Sequence, residues 1–537
     1  MSERFFTAML DCSRNGVLNL DSVKRMIDLL PRLGYQGLML YTEDTYEVDD
    51  EPYFGHLRGR YSKAELKEIV AYGDAHGVEV IPCIQVLAHL NQIFLWPEYA
   101  PVKDAGDVLM VGASRTHRLL ENIFKTLREC FTSKRIHMGM DETHLLGLGR
   151  YLQEHGYRDR QGIFLEHLRY CIDLAKRYGF EPLIWSDMFF RYASGGEYYE
   201  PNAVFSKELL NSIPKEVTPV YWDYYHDKQS FYEGMIDRHR EINKDVWFAG
   251  GVWTWAGFVP AYPVAFGVSL PAMRAVREKD VKNIIMTAWG DNGAETSPFL
   301  ALPSLFYARK VADGVEDLPT IKKEFQEIVG ASFDAFLLLG EINETTYVDA
   351  KKNPLHNPSK YLLYNDPLIG MLNNKISLED DARFQELSVK IRAARDQMGP
   401  YAYINDAIAD LTKLLSLKQS LPLRIHEAYE RGDRDALREL LPRIDLSLVA
   451  LDRFLLSFRK AWLKDRKPQG FDIQELRLGG LSARLQEAKM RIEEYLNGSI
   501  SRIEELEEAI LPYDPSDAGP EAACYNLYLD LVSPNLK

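Results

Sequence analysis

Two carboxylates, Asp141 and Glu142, stand side by side directly after the apolar run at 135–140. Neighbouring side chains of a strand point to opposite faces, and a charge at the end of a buried strand is costly unless it is paired or functional. Adjacent acids can divide proton-transfer work, with one carboxyl as the proton donor and the other as a fixed negative charge. This acid pair, Asp141 and Glu142, is therefore our first candidate for a catalytic centre.

Acidic, aromatic and basic side chains also follow the other short apolar runs of the first 300 residues. They are Asp11, Ser13, Arg14, Glu43, Asp44, His89, Trp185, Asp187, Tyr221, Trp222, Asp223, Tyr224, Trp253, Trp255, Trp289, Asp291 and Asn292. Any one of them alone is better explained as a core residue, a helix cap or an ion-pair partner. Together they favour a neutral carbohydrate ligand, because aromatic rings stack on sugar C–H faces while carboxylates and arginine bind the hydroxyls.

Alternating strand and helix patterns must position these side chains. Strand-like runs occur at 5–10, 37–42, 78–86, 135–140, 182–187, 218–223, 246–253 and 283–289, with amphipathic stretches such as 20–34, 62–77 and 116–130 between them. Eight such units predict an α/β fold, a (β/α)₈ barrel whose chemistry lies at the carboxyl ends of the strands. A doubly wound open sheet is the alternative, and the missing GxGxxG after the first strand makes it less favoured.

Beyond about residue 330 the patterns become helical. Long amphipathic segments cover 382–399, 437–465 and 481–510, whereas the polar stretch 349–367 is typical of a loop. We therefore predict a catalytic barrel over 1–325 and an α-helical C-terminal domain over 326–537. The helices could cover an apolar flank of the barrel, form a homo-oligomer interface or narrow the substrate site, and the sequence leaves these roles open.

Composition excludes several classes of partner. The 537 residues carry a net charge of −15 without a long basic block, which argues against nucleic acid and anionic membranes. No apolar run is long enough to span a membrane, and the N-terminus is a poor signal peptide because Asp11 interrupts its apolar stretch. Five scattered cysteines without CxxC spacing indicate reduced thiols. We expect a cytoplasmic protein, with secretion left open in case a leader has been trimmed.

Two histidines, His137 and His144, flank the acid pair and raise the question of a metal. Their spacing matches neither HExxH nor a familiar zinc site. We therefore expect no metal and no cofactor.

The stretch HMGMDE, residues 137–142, resembles the H-x-G-x-D-E signature of glycoside hydrolase family 20, the β-N-acetylhexosaminidases. The resemblance extends over about residues 1–320. It includes Arg14, His89, the W-x-D segment at 185–187, the Y-x-D segment at 221–223, Trp253 or Trp255, and the W-x-E-like segment at 289–291. Glu43 stands where the family usually has Asp, and Asp291 stands where it has Glu. These two exchanges leave the preference between sugar epimers open.

The resemblance implies a retaining exo-β-N-acetylhexosaminidase that uses the substrate's own 2-acetamido group as nucleophile. Glu142 would then be the proton donor, Asp141 would orient the acetamide, and Tyr221 would hold its oxygen. Sugar contacts would come from Arg14, Glu43, His89, Trp185, Asp187, Asp223, Trp253, Trp255, Trp289 and Asp291. The expected partner is a terminal N-acetylhexosamine of a glycan or glycolipid. The alternatives are an ordinary retaining glycosidase with Asp187 or Asp223 as nucleophile, and a catalytically silent sugar-binding barrel.

Overall fold

Eight parallel strands close into a barrel in chain order, and β8 pairs back onto β1. The structure is a computed structural model that describes residues 4–349, 355–521 and 524–535. The strands are β1 Phe5–Asp11, β2 Gly37–Tyr41, β3 Glu79–Cys83, β4 Arg135–His137, β5 Glu181–Trp185, β6 Thr218–Trp222, β7 Trp247–Gly251 and β8 Asn283–Ala288. The predicted (β/α)₈ barrel is thus confirmed, and the open sheet is excluded.

Helices alternate with these strands along the chain. They are α1 Leu20–Leu33, α2 Lys63–Ala75, α3 Ser114–Cys130, α4 Arg150–His155, α5 Arg160–Arg177, α6 Asp187–Ser194, α7 Lys207–Ser212, α8 Gln229–Ile242, α9 Tyr262–Glu278 and α10 Leu302–Ala312. Local sequence sets their ends. Ser62 and Glu65 form a capping box at the start of α2, and Gly34 ends α1 in the left-handed conformation.

Strand β4 is shorter than its apolar pattern predicts. It ends at His137, and Gly139 and Met140 have φ angles of 71° and 72°. These angles lie outside the extended region, so the chain turns before it reaches the acid pair. The turn frees Asp141 and Glu142 from the alternation of the strand.

Two compact units divide the chain. The first contains residues 1–252, 266–289 and 305–316 and holds the whole barrel sheet, and the second contains 253–265, 290–304 and 317–537. The segments that directly follow β7 and β8 therefore group with the C-terminal helices. The predicted border after residue 325 stays a prediction.

The helices after residue 316 are α11 Leu318–Val329, α12 Phe333–Gly340, α13 Pro358–Tyr364, α14 Asp380–Ala393, α15 Ala402–Lys418, α16 Leu421–Glu430, α17 Arg434–Asp465, α18 Phe471–Asn497 and α19 Tyr528–Val532. Two predictions need correction here. The expected loop at 349–367 contains α13, while its residues 350–354 lie outside the described residues. The helical pattern at 481–510 breaks at Gly498, whose φ of 84° caps α18.

Charged side chains are buried together in the second unit. Lys360 Nζ donates to Glu295 Oε2 at 2.6 Å, and Arg477 Nη1 lies 3.1 Å from Glu295 Oε1. Burial lowers the pKa of Lys360, and the negative charge of Glu295 opposes that shift. Arg477 also donates to the Asn292 carbonyl at 2.7 Å, so the cluster ties α13 and α18 to the segment that follows β8.

No helix among the described residues is long and apolar enough to cross a membrane. The cysteines of the described chain form no disulfide.

Glu295→Gln should destabilise the protein strongly, because it leaves the buried Lys360 cation without its counter-charge. Removing one partner of a buried pair typically costs about 3–5 kcal/mol. Thermal and urea unfolding of the full chain measure the loss. Asp435→Asn is the matched control, since it breaks an Arg438 pair whose side chains are 54% and 89% exposed, and it should cost far less. Equal losses in the two variants would contradict the assignment of a buried, interdependent cluster.

Candidate active site

The acid pair lies at the carboxyl end of β4, and both carboxylates face one imidazole. His89 Nε2 lies 3.2 Å from Asp141 Oδ2 and 3.8 Å from Glu142 Oε2. The Asp141 side chain is 15% exposed, whereas that of Glu142 is 43% exposed. The two acids therefore converge on His89, and Glu142 is the more exposed of them.

His89 is held between two carboxylates. Its backbone N–H donates to Asp107 Oδ2 at 2.9 Å, and its left-handed φ of 57° turns the ring towards Asp141. Although burial alone would lower it, the neighbouring Asp141 charge raises the pKa of His89 to about 9. At neutral pH His89 is therefore a cation beside Asp141.

The two acids of the pair are driven towards different protonation states. Although burial alone would raise it, the charge and contact of His89 and the amide of Gln85 lower the pKa of Asp141. Partial burial and the Asp141 charge raise the pKa of Glu142. Asp141 thus stays an anion while Glu142 more readily holds a proton, which is the division of work expected of a fixed charge and a general acid.

Arg14 leaves β1 between two acids. Its Nη1 bonds Asp11 Oδ2 at 3.0 Å and its Nε bonds Glu43 Oε1 at 3.0 Å, while its guanidinium lies over the rings of Tyr41 and Trp289. Burial raises the pKa of Glu43 to about 7, against the opposing charge of Arg14. These contacts fix the position and the direction of the planar guanidinium.

Aromatic rings form a connected cluster beside Arg14, made of Tyr41, Trp185, Tyr224 and Trp289. Tyr41 meets Trp289 edge-on at 4.8 Å between centroids, and Trp185 lies 6.0 Å from Trp289. Trp289 Nε1 donates to Tyr224 Oη at 3.1 Å. We call these four residues the aromatic cluster. Gln85 links it to the acid pair, because its Nε2 donates to both Tyr41 Oη at 3.0 Å and Asp141 Oδ1 at 2.8 Å.

Of the Y-x-D segment at 221–223, Trp222 contacts Tyr224 of the aromatic cluster at 5.5 Å between centroids, whereas Tyr221 faces away from it. Tyr221 is fully buried on the helix-facing side of β6, where its ring packs against Tyr232 and His239 of α8. Its hydroxyl donates to Asp223 Oδ2 at 2.7 Å. Asp223 also accepts from the backbone N–H of Tyr225 and contacts His226 Nδ1, so it closes the turn after β6.

Asp187 lies behind the acid pair. It is fully buried at the first turn of α6, and its Oδ2 accepts the backbone N–H of Glu142 at 3.1 Å. Burial, together with the charge of Asp141, raises the pKa of Asp187. The W-x-D segment therefore supplies Trp185 to the aromatic cluster and Asp187 to the backbone of the acid pair.

Three predicted sugar-binding residues, Trp253, Trp255 and Asp291, belong to the second unit. Trp253 and Trp255 stack at 4.6 Å, and the carbonyl of Ala256 accepts from Asn357 Nδ2 at 2.6 Å. Asp291 immediately precedes Asn292, whose carbonyl accepts a hydrogen bond from Arg477 Nη1. Their contacts with a sugar stay predictions.

The sequence did not indicate Gln85 or Asp107 as site residues. It led us to expect Tyr221 at the acetamido oxygen, whereas Tyr224 is the tyrosine of this turn that belongs to the aromatic cluster. A polar Gln inside the run VEVIPCIQV, two residues after Cys83, was the available clue for Gln85. Asp107 offers no such clue, because it reaches His89 from a distant point of a long loop.

His89, Asp141 and Glu142 also form the group in the described chain that could hold a metal ion, since their ligand atoms lie within 4.8 Å of one another. Two carboxylates and one imidazole could bind a divalent cation. The expectation of no metal stays a prediction.

Two family models match the chain. The model "Glycosyl hydrolase family 20, catalytic domain" matches residues 5–229, and "Glycoside Hydrolase 20C C-terminal domain" matches residues 334–525. Together they cover more than half of the sequence, and between them they include the acid pair and most of the C-terminal helices.

Two mammalian proteins named Hexosaminidase D are similar in sequence to this chain. Hexosaminidase D of Homo sapiens is 27% identical over 220 residues, which are 38% of this chain and 42% of that protein. Hexosaminidase D of Bos taurus is 24% identical over 300 residues, 50% of this chain and 79% of that protein. The chain thus spans less than half the length of the human relative.

Among solved structures, the exo-β-N-acetylglucosaminidase of Vibrio harveyi in complex with N-acetylglucosamine has a TM-score of 0.43 at 14% identity, over 61% of this chain and 58% of that one. A chitobiase of Flavobacterium johnsoniae has a TM-score of 0.46 at 14% identity, over 99% of this chain and 77% of that one.

Asp141→Asn should lower the pKa of His89 from about 9 to below its ordinary value near 6.5, because burial then acts without the Asp141 charge. NMR titration of ¹³Cε1-histidine-labelled protein measures this shift. His239 is the internal control, since burial lowers its pKa to about 3 and it should stay neutral in both proteins. An unchanged His89 midpoint in the variant would contradict the His89–Asp141 pairing.

Proposed function

Because the chain belongs to glycoside hydrolase family 20, we propose that it is a retaining exo-β-N-acetylhexosaminidase. It would remove terminal β-linked N-acetylglucosamine or N-acetylgalactosamine from glycans or glycoconjugates. The nucleophile would be the carbonyl oxygen of the substrate's 2-acetamido group, which attacks C1 and forms an oxazolinium intermediate. Enzymes of this kind are known exceptions to the rule of two catalytic carboxylates.

One observation carries the proposal: adjacent acids with opposed protonation preferences face a single imidazole, that of His89. Glu142, the more exposed acid with a raised pKa, suits the role of proton donor to the leaving oxygen. After the leaving group departs, the same carboxylate would take a proton from the water that attacks C1, and the C1–O bond of the oxazolinium would break to restore the acetamide. Two successive displacements at C1 would keep its configuration. Asp141 suits the role of fixed anion because His89 and Gln85 favour its charged form.

Asp141 would act on the acetamide. Its carboxylate would accept the acetamide N–H, direct the carbonyl oxygen towards C1 and offset the positive charge that develops on the group. Holding an internal nucleophile in place can contribute on the order of 7–11 kcal/mol to lowering the barrier. The protein's part in this step is therefore orientation and charge.

Arg14 and the aromatic cluster would hold the sugar ring. Asp11 and Glu43 hold the guanidinium beside the aromatic cluster, where it would bind sugar hydroxyls. Trp185 and Trp289 would contact the ring and the N-acetyl methyl. We assign the acetamido oxygen to Tyr224 rather than Tyr221, because Tyr224 bonds Trp289 within the cluster whereas Tyr221 faces α8.

An ordinary carboxylate nucleophile has weaker support. Asp187 is fully buried, and its carboxylate accepts the backbone N–H of Glu142. Asp223 is 1% exposed, and its oxygens contact Tyr221, the backbone N–H of Tyr225 and His226. Neither side chain could reach an anomeric carbon without giving up these contacts.

We further propose that the protein works in the reducing environment of the cytoplasm. Four of its cysteines are buried, and the described cysteines form no disulfide. Such thiol usage is typical of proteins kept under reducing conditions.

Asp141→Asn should reduce turnover of an aryl β-glycoside with a 2-acetamido group by about 10²–10³-fold, the range seen when one preorganised electrostatic group is lost. Wild-type protein should cleave this substrate and leave the matching 2-hydroxy glycoside uncleaved. Steady-state rates on both sugars, each as its gluco and galacto epimer, test the proposal and reveal the epimer preference. Glu142→Gln should be most impaired on substrates with poor leaving groups, because those need protonation most.

Glu154→Gln is the control for these variants, since this exposed carboxylate pairs with Arg150 of its own helix. Equal cleavage of the 2-hydroxy glycoside would support a carboxylate nucleophile instead. Sugar binding without turnover in the wild-type protein would identify a silent binding barrel.

Tyr224→Phe should lower kcat on the 2-acetamido substrate by on the order of 10-fold or more, because it removes one hydrogen bond to the reacting group. Tyr221→Phe is its matched partner. It removes the bond to Asp223, so it should lower the unfolding temperature while kcat stays within about threefold of wild type. A loss of kcat in Tyr221→Phe with a nearly unchanged kcat in Tyr224→Phe would instead assign the acetamido oxygen to Tyr221.

A further inference from the structure

The turn that carries the acid pair is backbone-strained. Gly139, Met140 and Glu142 all have left-handed φ angles, of 71°, 72° and 51°. Methionine and glutamate rarely adopt this conformation, and it persists only where surrounding contacts enforce it. Some neighbouring group must therefore hold this turn.

Gln85 is placed to do so. It is fully buried two residues after β3, and its Oε1 accepts the backbone N–H of Met140 at 3.0 Å. Its Nε2 donates to Asp141 Oδ1 at 2.8 Å and to Tyr41 Oη at 3.0 Å. One side chain thus binds the turn's backbone, one member of the acid pair and one member of the aromatic cluster.

The chemistry of these partners fixes the orientation of the amide. The Met140 N–H can only donate, so it requires the Gln85 oxygen, and an ionised Asp141 can only accept, so it requires the Gln85 nitrogen. A flipped amide would lose both bonds. Gly139 completes the fit, because a Cβ at that position would lie 2.0 Å from Gln85 Oε1.

We propose that Gln85 is a positioning residue for the hydrolytic reaction: it fixes the direction of the Asp141 carboxylate by binding Oδ1 while His89 faces Oδ2. This inference rests on the proposed function, in which Asp141 orients the substrate's acetamide. Because Gln85 offers only N–H groups to Asp141, it also disfavours a protonated Asp141, whose O–H would meet a second donor.

Several other titratable groups influence Asp141 and must be considered in any pH measurement. They are Tyr41, Cys83, His89, His137, Glu142, Asp187 and Tyr224. His89 is the cation among them, so its loss of a proton sets the alkaline behaviour of Asp141. The acid limb of the pH profile is the part that Gln85 should move.

Gln85→Leu and Gln85→Glu test the proposal in the full-length protein. Gln85→Leu should lower kcat on the 2-acetamido substrate by on the order of 10–100-fold, the effect of losing one hydrogen bond to a charged group, with KM changed by less than about threefold. The acid limb of kcat against pH should move upwards, because Asp141 is then protonated more easily.

Gln85→Glu keeps the shape of the side chain and makes its donor depend on pH. A protonated Glu at this position donates to Asp141, whereas the ionised form repels it, so the activity of Gln85→Glu relative to Gln85→Leu should rise as the pH falls. A purely structural role for Gln85 would not produce this crossing of the two profiles. Gln36→Leu is the matched control, because Gln36 binds the backbone N–H of Phe6 and the carbonyl of Gly34, near the amino ends of β1 and β2 and at the opposite end of the barrel.

Wild-type kcat and an unmoved acid limb in Gln85→Leu would overturn the proposal. If that variant does not fold, Gln85→Glu decides alone, and an acid limb that matches wild type would overturn it. The proposed function fails by a different result, namely wild-type cleavage of the 2-hydroxy glycoside. The two failures therefore remain distinguishable.

Discussion

The site depends on one electrostatic constraint: two adjacent carboxylates face one imidazole and must not share a protonation state. Two carboxyl groups this close lose their protons at well-separated pH values, because two neighbouring negative charges repel each other. This repulsion alone does not determine which of the two acids keeps its proton. Here the decision comes from donors placed on one side only. His89 faces Asp141 Oδ2 at 3.2 Å and Gln85 binds Oδ1 at 2.8 Å, whereas the Glu142 side chain is 43% exposed and lies 3.8 Å from His89. The different neighbours of the two acids thus favour different protonation states in them.

The fold serves this constraint through a shortened strand. Because β4 ends at His137, the chain can turn through three left-handed residues and bring neighbouring side chains to the same side. That turn would be unstable alone. Gln85 holds it from β3, and Asp187 holds the backbone of Glu142 from the first turn of α6. Contacts from residues that follow β3 and β5 thus fix the geometry of the turn after β4.

The sequence was sufficient for the barrel because eight apolar runs alternate with amphipathic helices, and this pattern depends on local periodicity. It was sufficient for the acid pair because charge at the end of an apolar run stands out. It could not show that Tyr221 faces α8 while Tyr224 bonds Trp289, since the side that a residue faces depends on where β6 stops and how the next turn is closed. Asp223 closes that turn through Tyr221, Tyr225 and His226, and no periodicity reveals such contacts. Gln85 and Asp107 were missed for the same reason: their partners are long-range. Gly498 was missed as well, because the helical pattern continues past it over 481–510 although Gly498 ends α18.

The carboxylates around the acid pair limit the chemistry that the cavity can support. Asp11 and Glu43 bind Arg14, Asp187 binds the Glu142 backbone, and Asp223 closes the turn after β6. Each of these acids is already engaged by donors of the fold, and detaching one to attack C1 would leave a buried donor unsatisfied. Asp141 is engaged as well, with Gln85 and His89 at its two oxygens, yet a carboxylate has further lone pairs that can accept an N–H without breaking these bonds. Among the described residues the arrangement therefore favours an acid that steers an amide over an acid that attacks carbon, as the proposed substrate-assisted mechanism requires.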